Sequence, residues 1–145
     1  MPIESNDRDR IAFIAAANDE EWFLKHSWYA GNTASCVMSD NGFMIYSENE
    51  VFHLCPDTKD APPIRVKTLH IEFVLVDKDH RRQGQCAQML RHVMNHARTL
   101  GLEVSLESIG GKEMMWRRHG FLPYKMALGF FSSNLIFMSG HPEGL

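Results

Sequence analysis

Between Val66 and Leu100 the apolar residues change period once, from about two to about 3.6, across a short polar break, and this change limits the chain more than any other feature. In Val66 to Val76, Ile71, Phe73 and Leu75 fall on one side of an extended segment and Val74 and Val76 on the other. A strand apolar on both faces must be covered on both, so it is expected at the centre of a sheet. The break, Asp77 to Gln83, is polar. From near Gly84 to about Leu100, Ala87, Leu90, Val93, Met94 and Ala97 form the apolar stripe of an amphipathic helix, and Gly101 ends it. A buried strand that feeds a tight loop and then a helix belongs to a mixed α/β protein.

The remaining text fits around this unit. Ile11, Ile14 and Ala15 recur at helical spacing, and Asn18 with Glu21 three residues on resembles a capping box that opens a second helix toward Gly31. Ser35 to Met38, Phe43 to Tyr46 and Val51 to Leu54 are short apolar runs, the first two separated by Asp40-Asn41-Gly42, and read as antiparallel strands. Pro56 to Pro63 reads as a surface loop. After Gly101 come an alternating strand, Leu102 to Glu107, a short helix from about Lys112 to His119 closed by Gly120, and two apolar segments, Phe121 to Leu128 and Leu135 to Met138. No repeat interrupts this order, and 145 residues make one domain, 1–145, with room for a real core. Trp22, Trp28 and the methionines are assigned to that core.

Composition narrows the function. With 44% hydrophobic and 23% charged residues the chain has the make-up of a soluble globular protein, which excludes disorder and fibres. The longest apolar stretch, Ile11 to Ala17, is far short of the ~18 to 20 residues that cross a bilayer, and no signal-peptide core follows the polar opening Glu4 to Arg8. A cytoplasmic location without membrane contact is expected. Cys36, Cys55 and Cys86 show no CxxC spacing, so neither a disulfide framework nor a zinc cage is indicated. The net charge of -3 argues against a dedicated nucleic-acid binder. That charge is unevenly spread: residues 1–79 hold 7 basic and 14 acidic side chains, whereas 80–119 hold 7 and 3. The basic segment is either a solvated helix face or a seat for an anion.

The motif within it bears on that choice. A strand that enters a helix through Asp77-Lys78-Asp79-His80-Arg81-Arg82-Gln83-Gly84 aims backbone N–H groups and the positive end of the helix dipole at one point, which is how phosphate is bound. Gly84 permits close approach because it has no Cβ, and Arg81 and Arg82 add charge. The bland alternative is a glycine turn with solvated arginines. No GxxxxGK[ST] or GxGxxG is present, so neither nucleotide fingerprint applies.

The stretch resembles motif A of the GNAT superfamily, the acyl-CoA-dependent N-acetyltransferases, whose pyrophosphate loop reads [Q/R]xxGx[G/A] after a strand ending V-x-P-x-x. Val76 and Arg81-Arg82-Gln83-Gly84-Gln85-Cys86 occupy those positions. Met115-Trp116-Arg117-Arg118-His119-Gly120-Phe121 is similar to the second signature, an aromatic-rich helix end followed by Gly-Phe. The resemblance spans about residues 64–128. It implies a single-domain α/β fold with a mostly antiparallel central sheet flanked by helices on both faces. It also implies that the central strand splays from the Leu102 to Glu107 strand to admit acetyl-CoA, with no metal. Contacts to the cosubstrate would come from the main chain of Val74, Leu75 and Val76 and from Arg81, Arg82, Gln83, Gly84, Gln85, Cys86 and Ala87. His70 and Glu72, on one face of the central strand, are the candidates for the base that removes the amine proton, against the plainer reading of solvated or hydrogen-bonded strand residues.

Three positions depart from the family pattern. Cys86 stands for the small Gly or Ala, Trp116 falls where many members have a Tyr that protonates the leaving thiolate, and Ile109 and Lys112 stand for the usual Asn and Ala. An indole N–H donates a hydrogen bond but is no acid. Water or Tyr124 are the remaining proton sources. His92 and His96 lie i, i+4 on the motif helix, but the HExxH glutamate is missing and a solvent-facing pair is expected. For Cys86 a packing role is expected rather than a nucleophile's.

The leading expectation is an N-acetyltransferase moving acetyl from acetyl-CoA to a primary amine by direct attack. A catalytically degenerate module that binds CoA or a protein without turnover is the alternative. A toxin-like or tRNA-directed member is a third reading, which the overall acidity disfavours. The expected partners are an amine acceptor, small molecule or protein, and a second copy of the chain, but neither a membrane nor nucleic acid. The acidic first 79 residues favour a cationic acceptor.

Overall fold

The computed structural model describes residues 3–26, 29, 34–53, 64–109, 113–123 and 135–140. They divide between two compact units, Met1–Ser47 with Ile71–Val93, and Glu48–His70 with Met94–Leu145.

The first unit opens with helix α1, Ser5–Ala17, which buries Ile11, Ile14 and Ala15, positions i, i+3 and i+4 of one face. The helix stops where Asp19 turns left-handed (φ 56°) and Glu20 N–H closes back on Ala15 O at 2.9 Å. A second helix was expected from Asn18 toward Gly31; its start is a 3-10 turn, Glu21–Lys25, with no side-chain cap, and Tyr29 further on is helical. Asn18 is engaged elsewhere: its Oδ1, the atom a cap would use, accepts from Lys78 N–H (3.1 Å), and its Nδ2 donates to Ile14 O (2.8 Å) and Asp77 Oδ1 (3.0 Å). A 3-10 turn stands at this start. It still carries Phe23 into the core, stacked on Phe73 at 4.3 Å and lying 5.6 Å from Phe43, a burial worth ~1.5 to 3 kcal/mol per aromatic. Trp22, assigned to the core by sequence, is 57% exposed and meets Phe73 edge to face at 5.6 Å. Trp28 lies outside the described residues.

Strands β1, Ser35–Ser39, and β2, Gly42–His53, form an antiparallel hairpin with Ser39 opposite Gly42. Phe43 to Tyr46 and Val51 to Leu54 were expected as separate strands, but Phe43 to Tyr46 and Val51 to His53 belong to one, since the polar residues between them alternate along the same extended backbone, and Leu54 lies outside the described residues. Gly42 is required by contact: a Cβ there would stand 2.7 Å from Leu75 O. Strand β3, Ile64–Val76, buries Ile71 and Leu75 in this unit, whereas Val74 and Val76 on its other face are half-buried, so the expected two-sided burial is incomplete here. The order is β1-β2-β3. A 3-10 turn, Lys78–His80, leads to helix α2, Gln85–Leu100, which buries Met89, Leu90 and Val93 within this unit.

In the second unit α2 buries Met94 and Ala97 and ends in paired bonds, Leu102 N–H to Ala97 O (2.9 Å) and Gly101 N–H to Arg98 O (3.2 Å). Strand β4, Glu103–Ile109, helix α3, Glu113–Arg118, and strands β5, Leu122–Pro123, and β6, Leu135–Gly140, follow. The order is β2-β3-β4-β6-β5, with β6 antiparallel to both neighbours, Val104 opposite Gly140 and Leu122 opposite Ser139. Tyr124, Cys55 and Lys112 lie outside the described residues. The fold is mixed α/β with a mostly antiparallel sheet. Among the described residues no helix is long and apolar enough to cross a membrane.

Candidate active site

The connection from β3 to α2 begins at a fixed point. Asp77 N–H donates to Asn41 O in the β1–β2 turn (2.8 Å), and Lys78 N–H donates to Asn18 Oδ1 (3.1 Å). The Asp77 carboxylate is bonded on both oxygens, to Asn18 Nδ2 at 3.0 Å and to His80 Nδ1 at 2.8 Å. The His80 bond, followed by that from Asn18, holds the Asp77 pKa below the ordinary carboxylate range. His80 N–H closes the turn on Asp77 O at 2.8 Å.

Beyond this point the backbone takes two left-handed steps, Arg82 at φ 65° and Gly84 at φ 80°. Such steps turn successive N–H groups toward one side of the chain. Arg81 Nε donates to Val76 O (3.0 Å), which folds that arm over the strand end, and Arg81, Arg82, Gln83 and Gly84 are all exposed. The first bond of the helical ladder runs from Gln88 N–H to Gly84 O (3.0 Å), so the amides that open α2 lie ahead of it. A Cβ built on Gly84 finds no described atom within 4 Å. Open space, exposed guanidinium groups and the positive end of a 16-residue helix are what a diphosphate requires, so these residues fit the group that motif A implies.

The other expected contacts sit as follows. Val74 and Val76 are half-buried on one face of β3, and Leu75 is buried on the other. Cys86 and Ala87 are half-buried in the first turn of α2. The Gln85 side chain is committed elsewhere: Oε1 accepts from Ser39 Oγ (2.6 Å) and Asn41 N–H (3.0 Å), and Nε2 donates to Asn41 Oδ1 (3.4 Å).

The two candidate bases differ. Glu72, in the first unit, is half-buried and accepts a hydrogen bond from Ser47 Oγ at 2.8 Å. His70, in the second unit, is 7% exposed, and its Nδ1 is bonded to Ser105 Oγ (2.7 Å), which also meets Thr68 Oγ1 (2.7 Å). Such a buried hydroxyl–imidazole chain satisfies its members within the fold. Trp116 is also a core residue: 5% exposed, it meets Phe121 edge to face at 5.6 Å. His92 and His96 are exposed.

Sequence reasoning did not find Asn18, Ser39 and Asn41 as supports of the connection. Asn18 read as a helix cap, and partners about sixty residues away leave no periodic trace in a single sequence.

Residues 6–121 match the acetyltransferase (GNAT) family. No curated protein matches the chain. Among solved structures it is similar to a GNAT-family protein from Desulfovibrio desulfuricans, 14% identical over 96% of this chain and 94% of that one, with a TM-score of 0.62. A bacterial toxin is 12% identical over 84% of this chain and 77% of its own, with a TM-score of 0.62. Naa20 of Chaetomium thermophilum, solved with a bisubstrate analogue, is 11% identical over 97% and 85%, with a TM-score of 0.59. At these identities the likeness is one of fold, and it agrees with a family match that takes in both the β3–α2 connection and the α3 segment: the chain belongs to the acetyltransferase (GNAT) family.

Proposed function

We propose that residues 1–145 act as one N-acetyltransferase domain that moves the acetyl group of acetyl-CoA to a primary amine by direct attack on the thioester. The observation that carries this reading is the β3–α2 connection, with its left-handed Arg82 and Gly84, exposed arginines and helix-opening amides. Acetyl-CoA, when bound, supplies the activated acyl group. The connection would grip its diphosphate, the main chain of Val74, Leu75 and Val76 would align the pantetheine, and one N–H there would stabilise developing charge on the thioester oxygen. Glu72 takes the amine proton, directly or through water; an alkyl amine titrates near 10 (Lys about 10.4) and must be presented neutral. Its half-buried carboxylate, bonded to the neutral Ser47 hydroxyl, suits that task better than the enclosed His70. Acceptors in this reading are small amines or protein amines, with a second copy of the chain as partner.

A second reading, a module that binds CoA or a protein without turnover, draws on Trp116, which is buried in packing where many members carry the proton donor.

Thiol release from acetyl-CoA against a panel of amines tests both. Amine-dependent release is expected, and Glu72→Gln should lower kcat about a hundredfold while leaving acetyl-CoA affinity unchanged. Cofactor binding with no release for any amine would favour the module.

A further inference from the structure

The cofactor connection is tied at both ends to neighbouring elements by side-chain hydrogen bonds. Its start, Asp77-Lys78, is held by Asn18 at the end of α1, through Asp77 Oδ1 (3.0 Å) and Lys78 N–H (3.1 Å), and Asn18 is itself fixed to Ile14 O (2.8 Å). Its far end is held by the Gln85 side chain, which makes three bonds to Ser39 and Asn41 in the β1–β2 turn. Asn41 serves both ends, since its carbonyl also accepts Asp77 N–H at 2.8 Å. Between these anchors lie the left-handed Arg82 and Gly84. A loop tied at both ends before the ligand arrives has less conformational freedom to lose on binding, so its anchors contribute to affinity without touching the ligand.

We propose that Asn18 and Gln85 are positioning residues for cofactor binding: each ties one end of the β3–α2 connection to a neighbouring element, and Ser39 acts only through Gln85. This rests on the reading of that connection as the diphosphate seat. The Gln85 side chain thereby serves the hairpin turn rather than the diphosphate.

A double-mutant cycle tests it. Acetyl-CoA is titrated calorimetrically into the wild type, Gln85→Met, Ser39→Ala and the double variant, and the melting temperature of each is taken without cofactor. Gln85→Met, which keeps volume and helix propensity, is expected to weaken binding about tenfold, and Ser39→Ala about threefold. In the Gln85→Met background, Ser39→Ala should have no further effect. Asn18→Ala should also weaken binding about tenfold. In amine-dependent turnover the KM for acetyl-CoA should rise with kcat at saturating cofactor retained. Folded variants with wild-type affinity, or fully additive losses for Gln85 and Ser39, would overturn the proposal. A wild type that takes up no acetyl-CoA overturns instead the seat on which it stands.

Discussion

Among the described residues, the passage into α2 and the turn that leaves α3 treat their backbone groups by opposite means. From β3 to α2 the passage is held at its ends by polar side chains, leaves Arg81 to Gly84 exposed, and opens a helix of 16 residues. After β4 the helix has six residues, and the turn that leaves it is closed on itself: His119, Gly120 and Phe121 N–H bond back to Trp116 and Arg117 carbonyls at 3.0 to 3.1 Å, with Trp116 against Phe121. The second satisfies its backbone and buries its aromatics, which is how a chain builds stability. The first leaves donors for something else, which is how a chain builds a binding site. An aromatic signature and a glycine signature can therefore both mark a family while only the glycine signature leaves its backbone donors exposed.

Three substitutions sharpen or break this contrast. Trp116→Ala should cost about 3 to 5 kcal/mol of stability in denaturant unfolding, yet leave acetyl-CoA affinity of the folded protein nearly intact; a loss of affinity in the folded variant would place Trp116 among the ligand's contacts. Gly84→Asp should weaken acetyl-CoA binding about a hundredfold or more, because a carboxylate enters the anion's seat at a backbone angle that costs a side chain ~1 to 2 kcal/mol. An unchanged calorimetric affinity would remove the seat from this passage. The smallest effect concerns pH. The Asp77 pKa is lowered in the folded state by its bonds from His80 and Asn18, so its contribution is present above the unfolded value of about 3.9 and is lost as pH falls through the folded one. Asp77→Asn should therefore flatten the acid limb of the stability profile, and an acid limb identical to the wild type's would show that this carboxylate holds nothing.

The sequence disclosed what is periodic or local. The β3 strand, the α2 stripe and its stop at Gly101, and the turn at Asp40-Asn41 each follow from residues within a few positions of one another. The motif A likeness gave the location of the candidate seat for the same reason. What stayed hidden depends on partners far along the chain. Asn18 satisfied every local rule for a helix cap, but its side chain is claimed by Asp77 and Lys78 instead, and the start of the expected second helix is a 3-10 turn with no side-chain cap. Trp22 looked like core because it is large and apolar, but its indole N–H bonds to the exposed Glu20 carboxylate, and one edge stays in water. His70 and Glu72 are equivalent by strand parity; their partners on other strands, Ser105 for one and Ser47 for the other, separate them.

Under the proposed function, the left-handed backbone at Arg82 (φ 65°) sets heat tolerance and ligand capture at odds in one residue. Glycine at position 82 would relieve the torsion, and a library screened for thermal resistance alone should drift toward it. Each clone that does so surrenders a cationic arm beside the proposed diphosphate seat, so on the proposed function such a screen would enrich sturdier proteins that hold acetyl-CoA less well.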